Sequence, residues 1–132
     1  MTVRGVLNLK IITAEQMAAL TRENAVYCGR RPVRKWKGRK AAPPADWLVA
    51  DVNLGSVWGN QFYARPDPVA DYAEWLWSAA GRRDRAWSDL YLLHDRWLLC
   101  WCVPDDCHCH VIAAAVEGKR WTRAGEGKEE RA

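Results

Sequence analysis

The sequence predicts an α/β fold, and three observations carry that prediction. An uninterrupted apolar run, WLLCWCV at residues 97–103, has the length of a strand buried on both faces, as strands of parallel sheets are. Ahead of it, Asp67-Pro68 opens a helix, with aspartate at the N-cap and proline at the first helical position. Around these two, strand-like and helix-like segments alternate along 132 residues, enough for one core and little more.

Taken in order, residues 3–9 (VRGVLNL) are aliphatic and β-branched enough for a first strand. Thr13 and Gln16 have the spacing of a capping box and start a short helix through AEQMAALTREN. Residues 25–28 (AVYC) form a second strand ending at Gly29-Arg30. The next stretch, about 31–51, carries three prolines and no helical or strand period. It reads as a basic loop insertion, with residues 47–52 a short strand or a helical turn. GSVWGNQF brackets Trp58 with glycines and reads as a shaped loop. In the helix opened by Asp67, Val69, Tyr72, Ala73, Leu76 and Ala80 share one stripe, and Gly81 stands just past its end. A further helix runs over 85–93. After the apolar strand come the turn PDD and a last helix through HVIAAAVE that stops at Gly118. These elements assemble into a single compact, Rossmann-like domain over 1–118, with a small, mostly parallel central sheet flanked by helices. Residues 119–132 are expected to be a charged, flexible tail.

Composition narrows the class of function. With 49% hydrophobic and 27% charged residues the chain has an ordinary globular balance. No apolar run approaches the ~20 residues of a membrane helix, and the N-terminal residues lack a signal-peptide core, so a cytoplasmic protein with no membrane partner is expected. Five cysteines, four of them clustered, make a poor disulfide framework and suit reduced thiols. Net charge is only +4, but residues 29–40 (GRRPVRKWKGRK) hold seven Lys/Arg and no acid. Such an arm can neutralise phosphates through Arg34, Lys35 and Lys37 while Trp36 stacks on a base; it can equally be a solvated loop.

The densest chemistry lies in LLCWCVPDDCHCHVI, residues 98–112, which holds four of the five cysteines and two of the three histidines. On a strand, Cys100 and Cys102 point to one face and Trp101 to the other. Cys107 and His108 then stand where the next helix begins, beyond the C-terminal end of the strand, where open α/β sheets bind ligands. Three readings stay open. Cys107 or His108 acts on a substrate, with Cys107 partly exposed and activated by the helix start. A zinc ion is held by Cys100, Cys102, Cys107 and His108, although C-x-C-x4-C-H-C-H matches no standard zinc spacing. Or the turn is merely buried, cysteine being among the most buried residues.

Three pieces of this sequence resemble the phage and bacterial family called domain of unknown function 4326. They are Tyr27-Cys28-Gly29-Arg30, Trp58-Gly59-Asn60-Gln61-Phe62, and the run from Cys100-Trp101-Cys102 through Pro104 to Cys107-His108. The resemblance spans about residues 3–117. It departs at Gln61, where the family has proline, and at Cys109 and His110, where it has glycine and an acidic residue. It implies a fold and a site and supplies no reaction.

Beside the turn, Arg30 offers a planar fork for phosphate or carboxylate. Asn60 can orient a ring, or can bond its own turn. Cys102 would share the substrate side with them. His94 is structural. Together these residues suggest a small protein that binds or acts on a nucleotide, nucleoside or nucleic acid without a cofactor, its enzymatic status and oligomeric state left open. The alternative is a non-enzymatic nucleic-acid- or protein-binding module with a zinc-stapled turn. Four convergent buried ligands would favour the module; an open cleft lined by Arg30, Asn60 and His108 would favour the first reading.

Overall fold

The computed structural model describes residues 1–38, 45–101, 107–123 and 128–129. It is a mixed α/β structure built on a three-stranded parallel sheet. The strands are β1 (Gly5–Asn8), β2 (Ala25–Tyr27) and β3 (Trp97–Cys100), in the order β1-β3-β2. Gly5 and Ala25 both stand opposite Trp97, and Leu7 and Tyr27 both stand opposite Leu99. The late apolar run therefore supplies the central strand, and Leu98, Leu99 and Cys100 are almost completely buried. A strand covered on both faces needs no polar alternation, which is why the run reads as continuously apolar.

Alternation along the strands divides the core in two. Leu98 and Cys100 join Val69, Tyr72 and Leu76 of α3 (Pro68–Trp77) and Val111 and Ile112 of α6 (His108–Val116). Leu99 faces the other way, toward Met17 of α1 (Ala14–Ala18) and Leu48 and Val52 of α2 (Asp46–Leu54). Helices thus cover both faces of the sheet. Trp101 packs with the second cluster and Cys100 with the first, the opposition that strand alternation predicts.

The helix signals hold in atomic detail. Thr13 Oγ1 accepts from Gln16 N–H at 3.1 Å, and Gln16 Oε1 accepts from Thr13 N–H at 3.0 Å. Asp67 Oδ1 accepts from Ala70 N–H at 3.2 Å, with Pro68 at the first helical position. Where the helix ends differs from expectation. It stops at Trp77, and Ser78 caps a new short helix, α4 (Ala79–Arg82). Gly81 lies inside α4, where a Cβ would sit 2.0 Å from the Trp75 carbonyl oxygen. Its absent side chain permits a close crossing and does not end a helix.

Other boundaries shift for local reasons. The region expected to be a loop as far as 51 contains α2 from Asp46, whose Leu48 and Val52 bury against the sheet. The helix expected over 85–93 divides into α5 (Arg85–Ser88) and a 3-10 turn at Leu90–Leu93. Past Gly118, β4 (Lys119–Arg120) pairs antiparallel with β5 (Lys128–Glu129), and Arg123 grips both oxygens of Asp67 at 2.5 and 2.6 Å. No helix among the described residues is long and apolar enough to cross a membrane.

Candidate functional site

The C-terminal ends of β2 and β3 open into a cleft of about 510 Å3. Gly29 and Arg30 line it just past β2, Trp101 just past β3, and His108 at the start of α6. Arg31, Pro32 and Trp36 come from the basic segment, and Asn60, Tyr63, Pro68 and Val69 complete the wall. Among the described residues, the lining holds two arginines and no carboxylate.

The wall at Arg30 is set by a tight turn. Tyr27 Oη donates to the Arg30 carbonyl at 2.6 Å, and Ser56 N–H donates to the Gly29 carbonyl at 3.1 Å. Burial raises the Tyr27 hydroxyl pKa, so it stays a neutral donor. A Cβ on Gly29 would lie 2.4 Å from that hydroxyl oxygen, so only glycine fits between the tyrosine and its acceptor. The Arg30 side chain is exposed, and its guanidinium lies 3.5 Å from the Tyr63 ring centroid, stacked and oriented at the rim.

Trp36 is fixed from two sides. Its N–H donates to Asn53 Oδ1 at 2.6 Å, and Asn53 Nδ2 donates back to its carbonyl at 3.3 Å. Its ring meets Trp101 edge-on, centroids 5.1 Å apart. The basic segment is therefore anchored at Trp36 by α2, while Arg34, Lys35 and Lys37 stay exposed. Asn53 carried no signal as a side-chain clamp, because its partner is a loop backbone 17 positions away.

Asn60 lines the cleft with its amide already engaged. Its Oδ1 accepts from Phe62 N–H at 2.9 Å, and its Nδ2 donates to the Pro68 carbonyl at 3.0 Å. This is the turn-shaping role, and it ties the Trp58-Gly59-Asn60 loop to the first turn of α3. Trp58 is held in turn through its indole N–H, 2.8 Å from the Ala86 carbonyl.

His108 is buried at the cleft floor, edge-on to Tyr72 with ring centroids 5.2 Å apart. Its Nε2 lies 2.6 Å from the Cys28 carbonyl, an atom that only accepts, so Nε2 carries the proton. Its Nδ1 faces Cys107 Sγ at 3.9 Å. Burial alone would lower its pKa; the bonds to Cys107 and the Cys28 carbonyl, with nearby thiols, outweigh it and the net direction is upward.

The expected exposed Cys107 is corrected. Cys107 is 4% exposed and is not among the residues lining the cleft. As N-cap of α6 its sulfur turns inward to accept from Cys109 N–H at 3.3 Å, and it lies 3.3 Å from Cys100 Sγ. The sulfurs of Cys100, Cys107 and Cys109 all fall within 4.8 Å of one another. Cys109 is fully buried; desolvation, then hydrogen bonds with Cys100, Cys107 and Cys28, pushes its thiol pKa well up. Cys102 lies outside the described residues.

A family model described as domain of unknown function 4326 matches residues 12–118, most of the chain. The chain belongs to this family. No curated protein and no solved structure matches it. In this family member the Tyr27–Arg30 turn and the Trp58–Phe62 loop meet at one cleft with His108, while Cys100 and Cys107 of the third motif are not among its lining residues. Sequence reasoning passed over Tyr63, which positions Arg30, and over Cys109, which completes the thiol group. The Cys109 signal was available: an apolar-facing position two residues into α6, on the side of Ile112.

Proposed function

We propose that the protein binds a nucleotide, a planar base carrying phosphate, in the cleft at the C-terminal ends of its parallel strands. In this reading the domain is Rossmann-like and uses the ligand position of open α/β sheets. One observation carries it: among the described residues, the lining combines Arg30 and Arg31 with the rings of Trp36, Tyr63 and Trp101 and contains no carboxylate. Arginine forks suit phosphate oxygens, and indole and phenol faces suit a base. The volume, about 510 Å3, falls in the range of small-molecule sites.

Binding is favoured over catalysis by what the candidate catalytic residues do. Both His108 nitrogens face protein groups and Cys107 is buried, so the geometry supports a recognition role for His108 as floor. The exposed Arg34, Lys35 and Lys37 extend the reading to a nucleotide within a nucleic-acid strand, and reduced buried thiols suit a cytoplasmic setting.

Calorimetric titration with a nucleoside, its monophosphate and inorganic phosphate tests the proposal. The monophosphate binds most tightly, and Arg30→Ala weakens it by about 10- to 100-fold, the loss of a charge-assisted contact of ~1.5–3 kcal/mol. Heat from none of the three, or an affinity indifferent to Arg30, refutes it.

A further inference from the structure

Behind the cleft floor, the cysteines form a second candidate site that the nucleotide reading does not use. We infer that Cys100, Cys107 and Cys109, completed by Cys28, bind a thiophilic divalent metal ion, zinc by class, buried between the sheet and α6. Three observations support this. The sulfurs of Cys100, at the end of β3, and of Cys107 and Cys109, at the start of α6, lie within 4.8 Å of one another, and Cys28, just past β2, is a hydrogen-bond partner of Cys109. Cys100 and Cys28 reach the α6 pair from two different strands, and none of the four is more than 4% exposed.

The spacing fits the ion. Zinc–sulfur bonds of about 2.3 Å put tetrahedral sulfurs ~3.8 Å apart. The three sulfurs lie within 4.8 Å of one another, Cys100 and Cys107 at 3.3 Å, so they close on an ion with shifts of about an ångström or less. The surroundings also suit a metal-bound thiolate. Cys107 Sγ already accepts the Cys109 N–H at 3.3 Å, and an outer layer of such donors is what steadies ligand sulfurs. This set replaces the one drawn from sequence. His108 is not part of the convergent group, although its Nδ1 faces Cys107 Sγ at 3.9 Å.

On binding, each coordinating thiol releases its proton to solvent as the metal–sulfur bond forms, and nothing is oxidised or reduced. The ion would then join the ends of β2 and β3 to the start of α6.

The full chain, purified under reductant, is analysed for metal, stripped with a chelator and titrated with cobalt(II) alone. Expected are one ion per chain and an intense near-ultraviolet sulfur-to-cobalt charge-transfer band with the visible bands of tetrahedral cobalt, displaced by zinc. Cys109→Ser should weaken cobalt binding by about 100-fold or more, beyond the effect of an outer-layer change. Cys28→Ser should retain cobalt with a weaker charge-transfer band. If Cys109→Ser does not fold, the parent titration decides. A parent that shows no thiolate band, or whose mass has fallen by two hydrogens through a Cys100–Cys107 disulfide under the same reductant, overturns the assignment. So does a Cys109→Ser protein that binds cobalt as the parent does.

Discussion

Replacing Gly29 with alanine should cost about 2–4 kcal/mol of stability, and the magnitude follows from one contact. A Cβ there would lie 2.4 Å from Tyr27 Oη and 2.5 Å from Cζ, far inside ordinary van der Waals separation. Tyr27 is 3% exposed and packed among Ala25, Leu48 and Leu99, so its ring cannot swing aside without disturbing a filled core. Overpacking of this kind costs ~1–3 kcal/mol. Moving the ring also breaks the 2.6 Å bond from Tyr27 to the Arg30 carbonyl, a further ~0.5–1.5 kcal/mol. For 132 residues the unfolding entropy near the melting point is ~0.28 kcal/mol per degree, so a loss of 3 kcal/mol lowers Tm by about 10 °C. Thermal and urea unfolding followed by circular dichroism measure it, and Arg30→Ala is the comparison, since that exposed side chain should melt within ~0.5 kcal/mol of the parent. A Gly29→Ala protein that melts with the parent would show that the turn has room, and the account of Gly29 would be wrong.

Four further outcomes are expected. Trp58→Phe leaves the Ala86 carbonyl without its buried indole donor and should destabilise by ~1–3 kcal/mol in urea unfolding. Asn60→Ala removes bonds at 2.9 and 3.0 Å that join the loop to α3, and should cost a similar ~1–3 kcal/mol while faster amide exchange appears at Phe62. Arg123→Ala breaks an ion pair whose two side chains are about half exposed, so its effect should stay below ~1 kcal/mol and vanish in high salt. Reversing Arg34, Lys35 and Lys37 to glutamate should flatten the salt dependence of any single-strand binding by about 0.7 units of slope per lost phosphate contact; an unchanged slope would leave these residues as a solvated surface.

What could be read from sequence was whatever depends on near neighbours. The Thr13–Gln16 box and the Asp67-Pro68 start are local chemistry, and both are present bond for bond. The central strand was legible because burial on two faces leaves an unbroken apolar run. Gly81 misled because the sequence shows a missing side chain and not what presses against it, here the Trp75 carbonyl. The pairing of Arg123 with Asp67 was hidden for a related reason, since the two stand 56 positions apart. In the site, the motifs located the Arg30 turn, the Asn60 loop and His108 on a common cleft. They did not reveal which way each side chain faces. Cys107 turned inward because a helix cap satisfies the Cys109 N–H, and Asn60 was already engaged by its own turn.

The strand order has a consequence for how the chain comes to be folded. Among the described residues, β1 and β2 do not pair with each other; each pairs with β3, which follows β2 by about seventy positions in the sequence. During synthesis at ~5–20 residues per second, both early strands emerge seconds before the strand that joins them, with their hydrogen-bonding edges unpaired. The sheet therefore assembles in one late event, slow for its size because both pairings close long loops. A chain cut short before Trp97 holds two strands and no sheet. Supplying residues 97–118 as a separate piece would restore the central strand and α6 together. The same topology that places the cleft at the strand ends makes the molecule divisible at one seam.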